Sequence, residues 1–147
     1  MKFLPVEFEE ELNKAFFNNP ACIDFLSVYP DFYKKVGFEK PWIGYFVADE
    51  NDEIVACGGF KGKPKNGKVE IAYGTFPQHE GKGVATEVCK QLVLMALNTD
   101  KNIIITARTL PEDNASTRIL KKNGFSFIGT IWDEDDGNVW EWIYNKA

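Results

Sequence analysis

The 147 residues contain three cysteines and one histidine, too few and too scattered for a metal framework. Cys22, Cys57 and Cys89 form no C-x-x-C pair, so neither a disulfide scaffold nor a zinc site is supported. His79 has no second histidine to act with. Long apolar runs are also missing. Leu92–Leu97 and Ile103–Ile105 fall far short of the roughly 20 residues that cross a bilayer, and no charged-then-apolar leader precedes a small-residue cleavage site. A cytoplasmic protein without a membrane partner is the expectation. Excess positive charge is absent as well: 17 Lys+Arg stand against 22 Asp+Glu, a net charge of −5. A nucleic-acid binder would need a basic patch, so nucleic acid is not an expected partner.

What is present suits a soluble globular domain, with 44% hydrophobic and 27% charged residues. No repeat or low-complexity linker divides the chain, and 1–147 is read as one domain. Pro5 to about Asn18 reads as a helix, because Phe8, Leu12, Ala15 and Phe16 share one face. A second helical stretch spans Ala21 to Val36, broken near Pro30. Trp42–Asp49 and Ile54–Lys61 form a hairpin around Glu50-Asn51-Asp52. Lys68–Phe76 is a third strand after the polar loop Gly62–Gly67. The strongest helix runs from Gly83 or Val84 to about Asn98, with Val84, Val88, Leu92 and Met95 as its stripe. Asn102–Leu110 reads as a strand buried on both faces. Asp113 to Asn123 is a helix with Asp113 as N-cap and Gly124 as its stop. Phe125–Trp132 and Val139–Tyr144 close the chain as a hairpin around Asp133–Gly137. Antiparallel hairpins thus flank a β-α-β core, and the sheet is mixed.

Chemistry concentrates between Glu70 and Glu87. A strand enters a glycine-containing turn that opens a helix, where free N–H groups and the helix dipole favour an anion. Gly81 and Gly83 allow the backbone close to a phosphate. The segment is not a Walker A loop, since no G-K-[ST] occurs at the required spacing, and it lacks the third small residue of the dinucleotide fingerprint. Two glycines before a helix, taken alone, point more often to a plain structural turn than to a site.

The wider pattern is more specific. Val69-Glu70-Ile71-Ala72-Tyr73, then Gly81-Lys82-Gly83-Val84-Ala85-Thr86-Glu87, then Thr109 through Phe125 resemble the GNAT superfamily of N-acetyltransferases. The likeness runs from about Trp42 to Tyr144 and is strongest to the branch of ribosomal-protein acetyltransferases. It implies an α+β fold of the GNAT type, a mixed and mostly antiparallel sheet splayed at the cofactor site and flanked by helices. The first family strand is lost here or reduced to Lys2–Leu4. The resemblance further implies acetyl-CoA as acetyl donor. Its contacts would come from Gly74, Thr75 and Phe76 at the strand end, from Gly81, Lys82, Gly83, Val84, Ala85 and Thr86 in the loop and helix start, and from Asp113, Asn114 and Ser116 at the later helix. Two positions depart from the family. Glu80 stands where Arg or Gln usually precedes the first glycine, and should turn to solvent. Asp113 stands where Asn is common, and an ionised Asp only accepts hydrogen bonds.

Acetyl transfer to an amine needs a base, a donor for the oxyanion and a proton for the leaving thiolate. The resemblance points to Glu70 as the base, against the alternative of a solvated strand carboxylate. Glu70 shares a strand face with Ala72 and Gly74, where open space would let substrate approach. A backbone N–H near Gly74 or Thr75 is the oxyanion donor, with Gly74 marking a local bulge. The family's common acid, a tyrosine, falls at Leu120, so that role is vacant. Ser116 can fill it or can be a plain first-turn hydroxyl. Tyr73 and Tyr144 are further options. His79 reads as a solvated loop-tip residue, and Asp133–Gly137 as a solvated turn that lacks calcium-ligand spacing. Trp42, Trp132, Trp140 and Trp142 either wall an acceptor pocket or pack the core.

The expectation is an acetyl-CoA-dependent N-acetyltransferase with direct transfer in a ternary complex, as monomer or homodimer. No basic neighbour in the sequence activates a cysteine as a nucleophile. The rival reading is a non-catalytic acyl-CoA-binding or sensing module. The acceptor, a small-molecule or peptide amine, is not legible.

Overall fold

The computed structural model describes residues 1–146. Seven strands form one sheet: β1 Lys2–Pro5, β2 Gly44–Ala48, β3 Ile54–Phe60, β4 Lys68–Thr75, β5 Ile104–Thr109, β6 Phe125–Asp133 and β7 Gly137–Tyr144. Four α-helices accompany them: α1 Pro20–Leu26, α2 Tyr29–Val36, α3 Val84–Thr99 and α4 Ala115–Lys122. The strand order is β1-β2-β3-β4-β5-β7-β6, and only β4 and β5 run parallel. Among the described residues no helix is long and apolar enough to cross a membrane.

The single parallel pair positions the site. β4 and β5 are in register only from Lys68↔Ile104 to Ile71↔Ala107. Beyond Ile71, β4 continues to Thr75 with β3 as its only neighbour. The sheet therefore opens between the C-terminal ends of β4 and β5, as the family resemblance implied. Alternation decides what faces the gap. Glu70 accepts from Lys61 on the β3 side, and the Phe76 N–H donates to Val55 on that side too. Odd-numbered residues consequently turn their backbone polar groups toward β5, as the contact of Thr106 Oγ1 with the Val69 carbonyl shows at 3.3 Å. Past the last paired position, the backbone groups of Tyr73 and Thr75 point into the gap.

α3 covers one face of the sheet. A Cβ on Gly58 would meet Val88 of α3 and Tyr73 of β4, so Tyr73 shares that face. α1 and α2 cover the other, where Phe25 stacks on Phe76 with centroids 5.4 Å apart and Tyr29 meets Phe46 edge-on. Ala72 and Gly74 alternate with Tyr73 and thus face α1 and α2.

Three expectations about elements are corrected. The expected helix from Pro5 to about Asn18 is not formed: Pro5 ends the strand β1, and only Glu10–Phe16 coils, as a 3-10 helix. β1, paired antiparallel with β2, matches the alternative of a short first strand at Lys2–Leu4. Asn13, not Leu12, is buried there, because its amide bonds both backbone groups of Glu7, at 2.8 and 3.0 Å, and locks a tight turn. The second helical stretch breaks at Ser27 and Val28, and Pro30 lies inside the first turn of α2, where its missing N–H costs nothing. No bulge occurs at Gly74; the β3–β4 register is unbroken from Ala56↔Thr75 to Phe60↔Ile71.

Candidate active site

The helix α3 begins at Gly83, whose φ of +79° is left-handed, as is that of Gly81 at +77°. Side chains rarely adopt this backbone, which is why glycine occupies both positions. The pair of turns leaves six consecutive N–H groups, Gly81 to Thr86, without a protein acceptor among the described residues. They belong to the positive end of a 16-residue helix. The loop, the first turn of α3 and one face of α4 enclose a cleft of 660 Å³. It reaches down to Tyr73, Gly74 and Thr75, where β4 has lost its partner.

On the other face of β4 a second cavity of 450 Å³ also reaches Tyr73, Gly74 and Thr75. α1 and α2 roof it, and β3 and β4 form its floor. The two cavities thus meet at the same three residues from opposite sides of one strand.

Glu70 lies further down β4, and its side chain is only 17% exposed. Lys61 Nζ sits 2.9 Å from one carboxylate oxygen and Arg108 Nε 3.5 Å from the other. Arg108 continues to Asp133 at 2.9 Å and approaches Glu141 at 3.9 Å. Two cations and three carboxylates are interleaved here, beside a 470 Å³ cavity that Phe32 and Lys61 share with the apolar one. Asp133 also accepts from the N–H groups of Asp135 and Asp136. The Asp135 N–H first, Arg108 next and the Asp136 N–H after them bring its carboxyl down to about 2. The free thiol Cys57 faces the apolar cavity, and burial pushes it up to about 11. Burial raises the Tyr73 phenol well above its ordinary value, with Cys89 adding to the effect.

Residues 1–126 match the family model described as acetyltransferase (GNAT) domain. The chain belongs to the GNAT acetyltransferase domain family. An uncharacterized N-acetyltransferase, YjdG, of Bacillus subtilis (strain 168) is 35% identical over 109 residues, or 74% of this chain and 60% of the relative. A second, p20 of Bacillus licheniformis, is 31% identical over 91 residues, 59% of this chain and 49% of its own. The chain thus spans between half and three-fifths of the curated relatives it matches. Among solved structures, a chimera of spermidine N-acetyltransferase SpeG from Vibrio cholerae with hSSAT superposes with a TM-score of 0.70 at 14% identity, covering 98% of this chain and 95% of that one. The aminoglycoside acetyltransferase AAC(6')-Ib in complex with coenzyme A gives 0.60 at 20% identity, covering 71% and 66%. At these identities the structures speak to the GNAT fold alone.

The GNAT cleft gathers much of what the motifs named. Gly74, Thr75, Gly81, Gly83, Val84, Ala85, Thr86 and Ser116 all line it. Phe76 does not: it is 2% exposed and belongs to the apolar cavity across β4. Lys82 borders a neighbouring 430 Å³ hollow with Glu53 and Glu87. Asp113 is corrected as N-cap. Asn114 caps α4 instead, its Oδ1 accepting from the Thr117 N–H at 3.1 Å while the Asn114 N–H donates to Thr117 Oγ1 at 3.0 Å. Asp113 is exposed and lies 3.9 Å from Lys121. Neither Asp113 nor Asn114 lines the cleft. Glu80 is exposed, as expected, yet stands on the cleft rim.

Glu70 is not a free carboxylate in open space: Lys61 and Arg108, both distant from it in sequence, flank its two oxygens. His79 is corrected too: it is 8% exposed, and its Nε2 has no hydrogen bond despite Glu53 at 3.4 Å. Trp42 and Trp142 pack the core and Trp132 is 73% exposed, so four phenylalanines and two tyrosines, not tryptophans, wall the apolar cavity. Arg118 and Lys122 also line the cleft and were missed. Their signal was helical spacing: with Ala115 they occupy i, i+3 and i+7 of α4.

Proposed function

We propose that this chain is an N-acetyltransferase that moves an acetyl group from acetyl-CoA to a primary amine by direct transfer in a ternary complex. One observation carries the reading: six unpaired amides at a helix start border a cleft that meets a second cavity at the unpaired end of β4. A pyrophosphate suits those amides, and Arg118 and Lys122 add positive charge on the α4 side. Acetyl-CoA, when bound, supplies the thioester that is the acetyl source. The free polar edge of β4 at Tyr73 and Thr75 can pair with the amides of an extended pantetheine arm, as an added strand would. The Thr75 N–H, turned toward the gap, is the donor for charge developing on the acetyl carbonyl; the Gly74 N–H is turned toward β3 and is not.

Glu70 serves as the base through water. Its Cα lies about 13 Å along the strand from that of Gly74, four residues at about 3.3 Å each, beyond one hydrogen bond's reach. Leu120 is 1% exposed in the core, so Ser116 or a water returns the proton to the departing thiolate. Cys57, held as a neutral thiol, does not form an acetyl-enzyme.

Calorimetry with acetyl-CoA tests the site. Gly83→Asp should abolish binding by putting a carboxylate among the amides. Gly67→Asp is the control, since Gly67 has a similar φ of +74° and open surroundings but lies at the far end of β4. Equal loss in both variants, or none in Gly83→Asp, would exclude the loop. Binding without thiol release against any amine would leave the acyl-CoA-sensing alternative.

A further inference from the structure

The cavity across β4 from the cleft has a composition that bears on the acceptor, given the transferase reading above. Phe25, Tyr29 and Phe32 come from its helical roof, and Phe60 and Phe76 from its floor. No carboxylate lines it, and its one charged side chain, Lys61, already sits 2.9 Å from Glu70. At 450 Å³ it falls within the range of about 300–1,000 Å³ typical of small-molecule sites. It is open rather than collapsed: Phe25 and Val28 stay 38% and 58% exposed, and nothing stands within 4 Å of where a Cβ on Gly74 would be. Exposed apolar side chains around a concavity are the mark of a surface that something apolar covers.

We infer that the acceptor carries a single ammonium and a bulky aromatic or aliphatic tail, and that the tail occupies this slot. Charge disfavours the alternative of several ammonium groups. A polyamine or an aminoglycoside would have to place a second cation in a slot that offers it aromatic faces but no carboxylate, and a cation that gives up water without a counter-charge is costly. A lone amine at the Gly74–Thr75 end keeps its nitrogen beside the junction of the two cavities, with the tail running between α2 and β3. Of the carboxylates lining the neighbouring 470 Å³ cavity, Glu70 and Asp133 are committed to Lys61 and Arg108 and Glu134 to Lys35; these three and Asp135 all lie outside the slot itself.

The test is a panel of ethylamine, hexylamine, phenethylamine, spermidine and kanamycin, read as thiol release at saturating acetyl-CoA and as binding by calorimetry with coenzyme A present. The value of kcat/KM should rise at least tenfold from ethylamine to hexylamine and to phenethylamine, each added methylene in an apolar pocket being worth about tenfold or more. Val28→Glu, at an exposed position on the rim, should erode that preference and improve relative use of spermidine while acetyl-CoA affinity stays unchanged. Spermidine or kanamycin outperforming phenethylamine, or a response indifferent to the tail, would overturn the inference. The two readings fail separately. Phenethylamine binding without acetyl transfer sinks the transferase and keeps the slot, whereas preferential binding of spermidine sinks the slot whatever is transferred.

Discussion

Glu70 is asked to hold two cations and also to take a proton. Its carboxylate oxygens are shared between Lys61 and Arg108, and the water-mediated route leaves it one step removed from the amine. Glu70→Gln keeps the shape and removes the base. We expect kcat to fall about 100-fold, the lower end of what a positioned general base contributes. The deficit should shrink as pH nears about 10, where an alkyl ammonium loses its proton unaided. Acetyl-CoA affinity should be unchanged. Wild-type turnover with a wild-type pH profile would return Glu70 to a purely structural ion pair. The glycines of the loop were readable in advance because their chemistry is local: a left-handed backbone is a property of one residue. The partners of Glu70 were not, since Lys61 directly follows β3 and Arg108 lies on β5, and only pairing on both sides of β4 brings them together.

The β6–β7 turn shows what the same limit means for an element. Asp133-Glu134-Asp135-Asp136-Gly137 reads as a solvated acidic turn, and a turn it is. Its first carboxylate, however, is buried and works inward, capping two backbone N–H groups and holding Arg108. The folded carboxyl sits near 2 against an ordinary 3.8. The unfolded chain therefore binds this proton first as pH falls. The stabilisation is complete above about pH 4 and is lost between there and about pH 2, with a size up to about 2 kcal/mol. Denaturant unfolding at a series of pH values should show wild type converging on Asp133→Asn across that window. Parallel curves would mean that the cap contributes nothing. Strands and the long helix α3 were legible because their apolar periods were strong. The 3-10 helix at Glu10–Phe16 was not, because Asn13 closes it by side-chain bonds to Glu7 that hydrophobic spacing does not encode. Asn114 captured the N-cap of α4 from Asp113 for a similar reason, the reciprocal bonds with Thr117 fixing the start one residue later.

For the molecule as a whole, the open wedge between β4 and β5 is unfinished sheet, and a ligand that completes it binds only the folded state. Acetyl-CoA at about 100 times its dissociation constant should stabilise by about 2.7 kcal/mol, raising Tm by roughly 5–10 °C for a chain of this size. A thermal melt without any shift would separate the cleft from the cofactor. The strand order carries a different consequence, for synthesis. β7 lies between β5 and β6, although it is made after both. Until Gly137–Tyr144 clears the ribosome, β6 has no neighbour and β5 has one bare side, so the nascent chain holds two sticky edges at once. β7 is a keystone, and co-translational folding of this half of the sheet waits for it.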